Sequence, residues 1–193
     1  MGYILKGLNL GCGWQILKST EEIEWVNLDS DARGGAQVVR DVLRGLPFAD
    51  NTFDQVFCSH FLEHFGGEDL VFLMGEIHRV LKPRGMMAVL SPYYLHHSSR
   101  GDPHHKVFMD ERFFESWWFP NVGAMQVGVR GFFHPLVCEV ADNSELRVKM
   151  VKVPAETLQS YIEVMGVGME SGRRGPPNWQ ELLKGKLFYE VAK

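Results

Sequence analysis

The sequence predicts a doubly wound α/β fold around a mostly parallel sheet, on three observations. Short apolar runs recur along the first 90 residues, and the first three close in a glycine or a carboxylate. One longer segment between two such runs has helical spacing, and the connections are short and turn-rich. At 193 residues the chain fills one such core and is too short for two of ordinary size. Residues 1–193 are therefore read as a single domain, with residues 1–91 as its binding half and 92–193 as its substrate side.

The elements follow in order. Residues 3–10 are apolar almost throughout and run into Gly11-Cys12-Gly13, as a buried strand entering a tight turn would. Residues 23–28 reach Asp29 and residues 35–39 lead to Asp41, giving strands two and three. Residues 53–59 repeat the pattern after the turn 49–52. Leu70, Leu73, Met74, Ile77 and Leu81 recur at helical spacing, which predicts a helix over 68–82 stopped by Pro83 and Gly85. Residues 86–90 make strand five. Parallel strands alternating with helices imply right-handed crossovers.

Beyond Pro92 a stretch rich in Tyr, His, Gly and Pro reads as a long functional loop to about Met109. Asp110 is placed as the N-cap of an aromatic helix over 113–119, which packs into the core rather than serving as a substrate platform. Two β-rich runs between 132 and 153 flank Ala141-Asp142-Asn143-Ser144 as a hairpin. A helix over 155–165, a loop over 166–178 carrying Arg173 and Arg174, and a closing strand over 186–192 complete the chain.

Composition narrows the function. Apolar residues at 45% and charged residues at 23% are those of a soluble globular protein. A net charge of −4 and a pI near 6.1, without a basic run, give no general attraction for nucleic acid. Cys12, Cys58 and Cys138 are scattered and odd in number, which argues against a disulfide framework or zinc cluster and suits a reducing cytoplasm. No apolar stretch is long enough to span a membrane, and no membrane partner is expected. A homodimer is compatible with the sequence.

In an open α/β sheet the ligand sits outside the carboxyl ends of the strands. Gly11 and Gly13 lack a Cβ and tolerate positive φ, so a ligand can approach their backbone closely. Asp29 ends the next strand, where a carboxylate can accept both ribose hydroxyls of a nucleoside. Asp41 stands one strand further out, where it can accept from an exocyclic amine.

Taken together, Leu8-Asn9-Leu10-Gly11-Cys12-Gly13, Asp29, Asp41 with Leu46-Pro47-Phe48, Phe53-Asp54-Gln55-Val56, Ser59-His60-Phe61-Leu62-Glu63-His64 and Leu81-Lys82-Pro83-Arg84-Gly85 resemble the class I S-adenosylmethionine-dependent methyltransferases, in the same order over about the first 90 residues. The resemblance implies a Rossmann-like seven-stranded sheet whose last strand is antiparallel, with residues 186–192 as the candidate. It implies S-adenosyl-L-methionine as cofactor. Asn9 falls where an acidic residue is commoner and would touch the amino group, Gly11, Cys12 and Gly13 would wrap the methionine part, and Asp29 would hold the ribose. Asp41 and the Val42 backbone would read the adenine, with Ser59 and His60 beside the sulfur. Gln15 stands in for a frequent third glycine, Trp14 is offered as a pocket wall, and the helices that often precede strand one are missing from this reading.

The densest polar cluster, His96 to Lys106, follows strand five on the same edge and reads as substrate-contacting. His96, His104 and His105 are the candidate bases, with His60 beside them, since an imidazole titrates near about 6.5. Two histidine pairs on a loop are a weak ligand signal, and no metal is assigned. Glu63 and His64 read as local hydrogen-bonding residues at a helix start. The implied reaction is methyl transfer to an O or N atom of a small molecule or glycan precursor. The rivals are a non-catalytic S-adenosylmethionine-binding or scaffold protein and a nicotinamide-dependent oxidoreductase, whose fingerprint wants a third glycine where Ile16 stands.

Overall fold

A computed structural model describes residues 2–118, 128, 131–154 and 157. Seven strands form one sheet in the order β3-β2-β1-β4-β5-β7-β6. They are β1 Leu5–Leu10, β2 Ile23–Asp29, β3 Val38–Val39, β4 Phe53–Ser59, β5 Leu81–Pro92, β6 Phe133–Ala141 and β7 Glu145–Lys152. The pairs β1·β2, β1·β4, β2·β3 and β4·β5 are parallel, whereas β7 runs antiparallel to both β5 and β6. Strand order reverses between β1 and β4, so the glycine turn after β1 lies at the switch point where such sheets bind ligands.

The register explains the core. Leu8 pairs with Val56, Leu10 with Cys58, Val56 with Met87 and Cys58 with Val89, so these side chains share one face of the pleat. They form one apolar cluster with Leu70, Leu73, Met74 and Ile77 of α1, Gly67–Val80. Each such side chain, fully buried, contributes about 1.5–3 kcal/mol. The opposite face carries Gly7, Asn9, Trp25 and Asn27, and a Cβ at Gly7 would meet the Trp25 ring at 2.5 Å.

The crossovers depart from the expected alternation of strands and helices. Among the first five strands, which are all described, only β4 and β5 are joined through an α-helix, α1. The connection from β1 to β2 contains no helix and is held down by side chains instead. Asn9 Nδ2 donates to Gln15 O and Asn27 Oδ1, while Asn27 Oδ1 accepts from Leu17 N and Asn27 Nδ2 donates to Leu17 O. Two buried asparagines thus give the crossing segment's backbone groups the partners a helix would have found internally.

Other boundaries shift for identifiable reasons. Helix α1 ends at Val80, two residues before the expected limit, because Pro83 disfavours a helical Lys82 and Leu81 is already extended opposite Phe53. Strand β3 shrinks to two residues. The loop after β5 contains a five-residue helix, α2 His97–Gly101, and Asp110 Oδ1 does accept from Arg112 N, but the helix beyond it, α3, is described only as Glu115–Trp118. Phe114, Trp117 and Trp118 are buried in the core. The antiparallel strand is β7, within the expected hairpin; the strand expected over 186–192, the helix over 155–165 and the loop with Arg173 and Arg174 lie outside the described residues. Among the described residues no helix is long and apolar enough to cross a membrane.

Candidate functional site

At the carboxyl edge of β1 the chain turns through Gly11 at φ 69° and Gly13 at φ 47°, a region that L side chains seldom enter. A Cβ on Gly11 would collide with the Phe61 ring at 1.9 Å, so the absent side chain lets the segment after β4 close against the turn. A Cβ on Gly13 would meet nothing within 4 Å, which leaves an open cradle beside its backbone. Asp29, closing β2, faces this turn: Oδ2 accepts from Gly13 N at 2.8 Å and Oδ1 from Asp31 N at 2.9 Å. Each carboxylate oxygen has a second lone pair and can accept a further hydroxyl.

Asp41 caps the 3-10 turn Val42–Arg44, with its carboxylate accepting from Leu43 N at 3.0 Å, and its side chain stays half exposed. Val42 is buried behind it. The segment that follows is fixed by Glu76 and Arg79 of α1: Glu76 Oε2 accepts from Leu46 N, and Arg79 donates to Leu46 O and Phe48 O. Asn9 is buried with both donors committed to Gln15 and Asn27, which makes it a brace for the β1–β2 connection. Trp14 is 80% exposed. Cys12 is buried, and burial together with the Asp29 charge pushes its thiol above the usual range, so it stays neutral.

Ser59 ends β4 and His60 follows at φ 50°, a costly conformation for a residue with a Cβ and one that concentrates at functional sites. His60 N donates to Leu90 O, and the ring lies between Glu63 Oε1 and Glu145 Oε2, each 3.7 Å away. Sequence reasoning missed Glu145, which the hairpin brings to this edge opposite Pro92.

The loop after β5 separates the candidate bases. His96 Nδ1 lies 2.6 Å from Ser98 Oγ and caps α2, so it shapes the loop. His104 is exposed, with Nδ1 2.9 Å from Asp102 Oδ1, which fixes the proton on Nδ1 and leaves Nε2 as acceptor. The backbone N–H and ring of His104 hold the Asp102 carboxyl below the usual range. His105 is buried to 7% side-chain exposure and its Nδ1 lies 2.8 Å from Ser99 O. A shallow concavity of about 570 Å³ is lined by His97, Ser98, Gly101, Asp102, Pro103 and His104.

Residues 8–89 match the family model of the methyltransferase domain. A probable methyltransferase, ltbC of Aspergillus luteorubrus, is 45% identical over 49 residues, which cover 25% of this chain and 17% of that protein's length. The N-methyltransferase NodS from Bradyrhizobium japonicum WM9, solved with S-adenosyl-L-homocysteine, superimposes with a TM-score of 0.55 at 14% identity, over 78% of this chain and 79% of that one. A SAM dependent methyltransferase from Aquifex aeolicus gives 0.52 at 15% identity, over 77% and 82%. At such identities the structural likeness speaks for the fold.

Proposed function

This chain carries the class I S-adenosylmethionine-dependent methyltransferase fold, and from that premise we propose that it transfers a methyl group to an O or N atom of a small molecule or glycan precursor. The observation that carries the reading is the Asp29 carboxylate accepting from Gly13 N, which joins the ends of β1 and β2 into one receptor for an adenosyl amino acid. The open space beside Gly13 and the half-exposed Asp41 suit the same ligand. In this assignment Gly11, Cys12 and Gly13 hold the amino-acid part, Asp29 the ribose, Asp41 and Val42 the adenine, and Ser59 and His60 border the sulfur. Asn9 acts through the turn it braces.

The bound sulfonium supplies a methyl carbon already activated for displacement. The chain's own task is then to orient the acceptor in line and exclude water, for which well-placed groups give large effective concentrations. An oxygen or protonated nitrogen acceptor also needs its proton removed. His104 is the favoured base, because Asp102 accepts from its Nδ1 and its ring is exposed, whereas His96 Nδ1 caps α2 and the His105 ring is buried. Three buried, free cysteines suit a cytoplasmic setting.

The test is transfer of labelled methyl from S-adenosylmethionine to pooled small hydroxylic, amine and sugar acceptors, read by mass and by release of S-adenosylhomocysteine. The expected result is a labelled low-molecular-weight product. Tight cofactor binding with no transfer to any pool would instead favour the non-catalytic binding protein.

A further inference from the structure

Glu63 is a buried carboxylate with one oxygen unanswered. Its side chain is only 2% exposed, Oε2 accepts from Ser91 Oγ at 3.3 Å, and Oε1 has no hydrogen-bond partner. The His60 ring approaches Oε1 only to 3.7 Å, too far for a hydrogen bond. A carboxylate held out of water in this way is costly unless a cation or donor compensates it.

Two imidazoles stand beside it. Glu63, His64 and His105 each offer a ligating atom, and these atoms lie within 4.8 Å of one another. The backbone enforces the meeting, because Lys106 N and Val107 N both donate to Glu63 O, at 2.8 and 3.2 Å. His105 Nδ1 lies 2.8 Å from Ser99 O, and His64 Nδ1 faces His104 O at 3.4 Å. A carbonyl can only accept, so Nδ1 carries the proton on each ring and Nε2 keeps its lone pair. A backbone carbonyl that accepts from Nδ1 is also the usual partner that fixes the ring of a metal-bound histidine.

We infer that Glu63, His64 and His105 form a binding site for one divalent transition-metal ion, with two nitrogen ligands, one oxygen ligand and open positions left for water or substrate. Mixed imidazole and carboxylate ligands select zinc, iron, manganese or cobalt over the all-oxygen preference of calcium and magnesium. Ligands about 2.1 Å from one ion at tetrahedral angles stand about 3.4 Å apart, so binding draws together atoms that now lie within 4.8 Å of one another, by up to about 1.4 Å for the widest pair. Asp102 Oδ2, 3.8 Å from His105 Nε2, is placed to accept from a water on the ion. The ion would neutralise the lone Glu63 oxygen and tie the exit of β4 to the loop after β5. The inference rests on neither cofactor binding nor methyl transfer.

The experiment uses the full chain stripped with a chelator. Cobalt(II) is titrated by visible absorption and zinc(II) by calorimetry, for the wild type and for Glu63→Gln, His105→Ala and His97→Ala. One ion per chain is expected, with a cobalt ligand-field band of low coordination number. Glu63→Gln, which keeps the side chain's shape, and His105→Ala should each weaken uptake at least tenfold and about 100-fold in the stronger case, while His97→Ala leaves it unchanged. Circular dichroism confirms folding, and Glu63→Gln decides the matter if His105→Ala does not fold. Failure of the folded wild type to take up either ion would overturn the inference, as would uptake indifferent to Glu63→Gln.

Discussion

The two sides of the binding edge are built differently. Around Gly11, Asp29 and Asp41 the contacts run from carboxylate to backbone N–H within a turn or between paired strand ends: Asp29 to Gly13 and Asp31, Asp41 to Leu43. On the other side they tie the segment after β4 to the loop after β5, distant in sequence: the His64 ring meets His104 O, and Lys106 N donates to the Glu63 backbone carbonyl. The first side is preorganised by the sheet, as recognition of a fixed cofactor requires. The second side depends on a five-residue helix and an exposed histidine, which fits an acceptor site that differs between relatives of one fold.

This contrast can be broken most severely at Asp29. Asp29→Ala removes a charged acceptor from two backbone donors and should weaken S-adenosylhomocysteine binding by about 3 kcal/mol, roughly 100-fold or more, by calorimetry. His104→Ala should lower turnover by about 100-fold and flatten the acidic limb of the pH–rate profile, while cofactor affinity stays at the wild-type value. If His104→Ala weakened cofactor binding as much as Asp29→Ala does, the two sides would not be separable.

Smaller effects sharpen the account of the frame behind the edge. Asn9→Asp would set a carboxylate against Gln15 O and Asn27 Oδ1, two acceptors with no donor between them, in a buried position. A loss of about 2 kcal/mol in denaturant-monitored stability is expected, without direct loss of a ligand contact. His78 and His134 are held neutral: burial, with the Lys152 charge second, pushes His78 down to about 4, and burial pushes His134 down to about 4. Both are depressed below their unfolded value near about 6.5, so the unfolded chain binds more protons between these limits. Stability is therefore complete above about pH 6.5 and falls as pH drops toward 4, by up to about 1.4 kcal/mol per unit for each histidine. His78→Gln should halve that slope in a series of thermal melts.

What the sequence made legible tracks the range of the forces involved. Strands β1, β2 and β4 and the 133–152 hairpin showed themselves as apolar runs bounded by turn residues, and α1 as a 3.6-residue stripe. The end of α1 was misread because the apolar Leu81 continues the stripe, while Pro83 and the pairing with Phe53 turn it into strand. The helix-free β1–β2 connection was invisible, since its support comes from Asn9 and Asn27, polar residues inside strands whose partners periodicity cannot name. Asp29 was legible as a candidate from its place at a strand end. Glu63 was not, because nothing local announces that its carboxylate is buried beside His105; only the fold of the 102–107 loop against it does so.

The central claim is that the ends of β1 and β2 form one receptor for an adenosyl amino acid. It is tested most directly by a crystal structure of the chain with S-adenosylhomocysteine. Both ribose hydroxyls are expected within about 2.6–3.0 Å of the Asp29 carboxylate oxygens, with the amino-acid end against the Gly11–Gly13 backbone. A ligand seated away from this turn, with Asp29 still bonded only to Gly13 and Asp31, would contradict it.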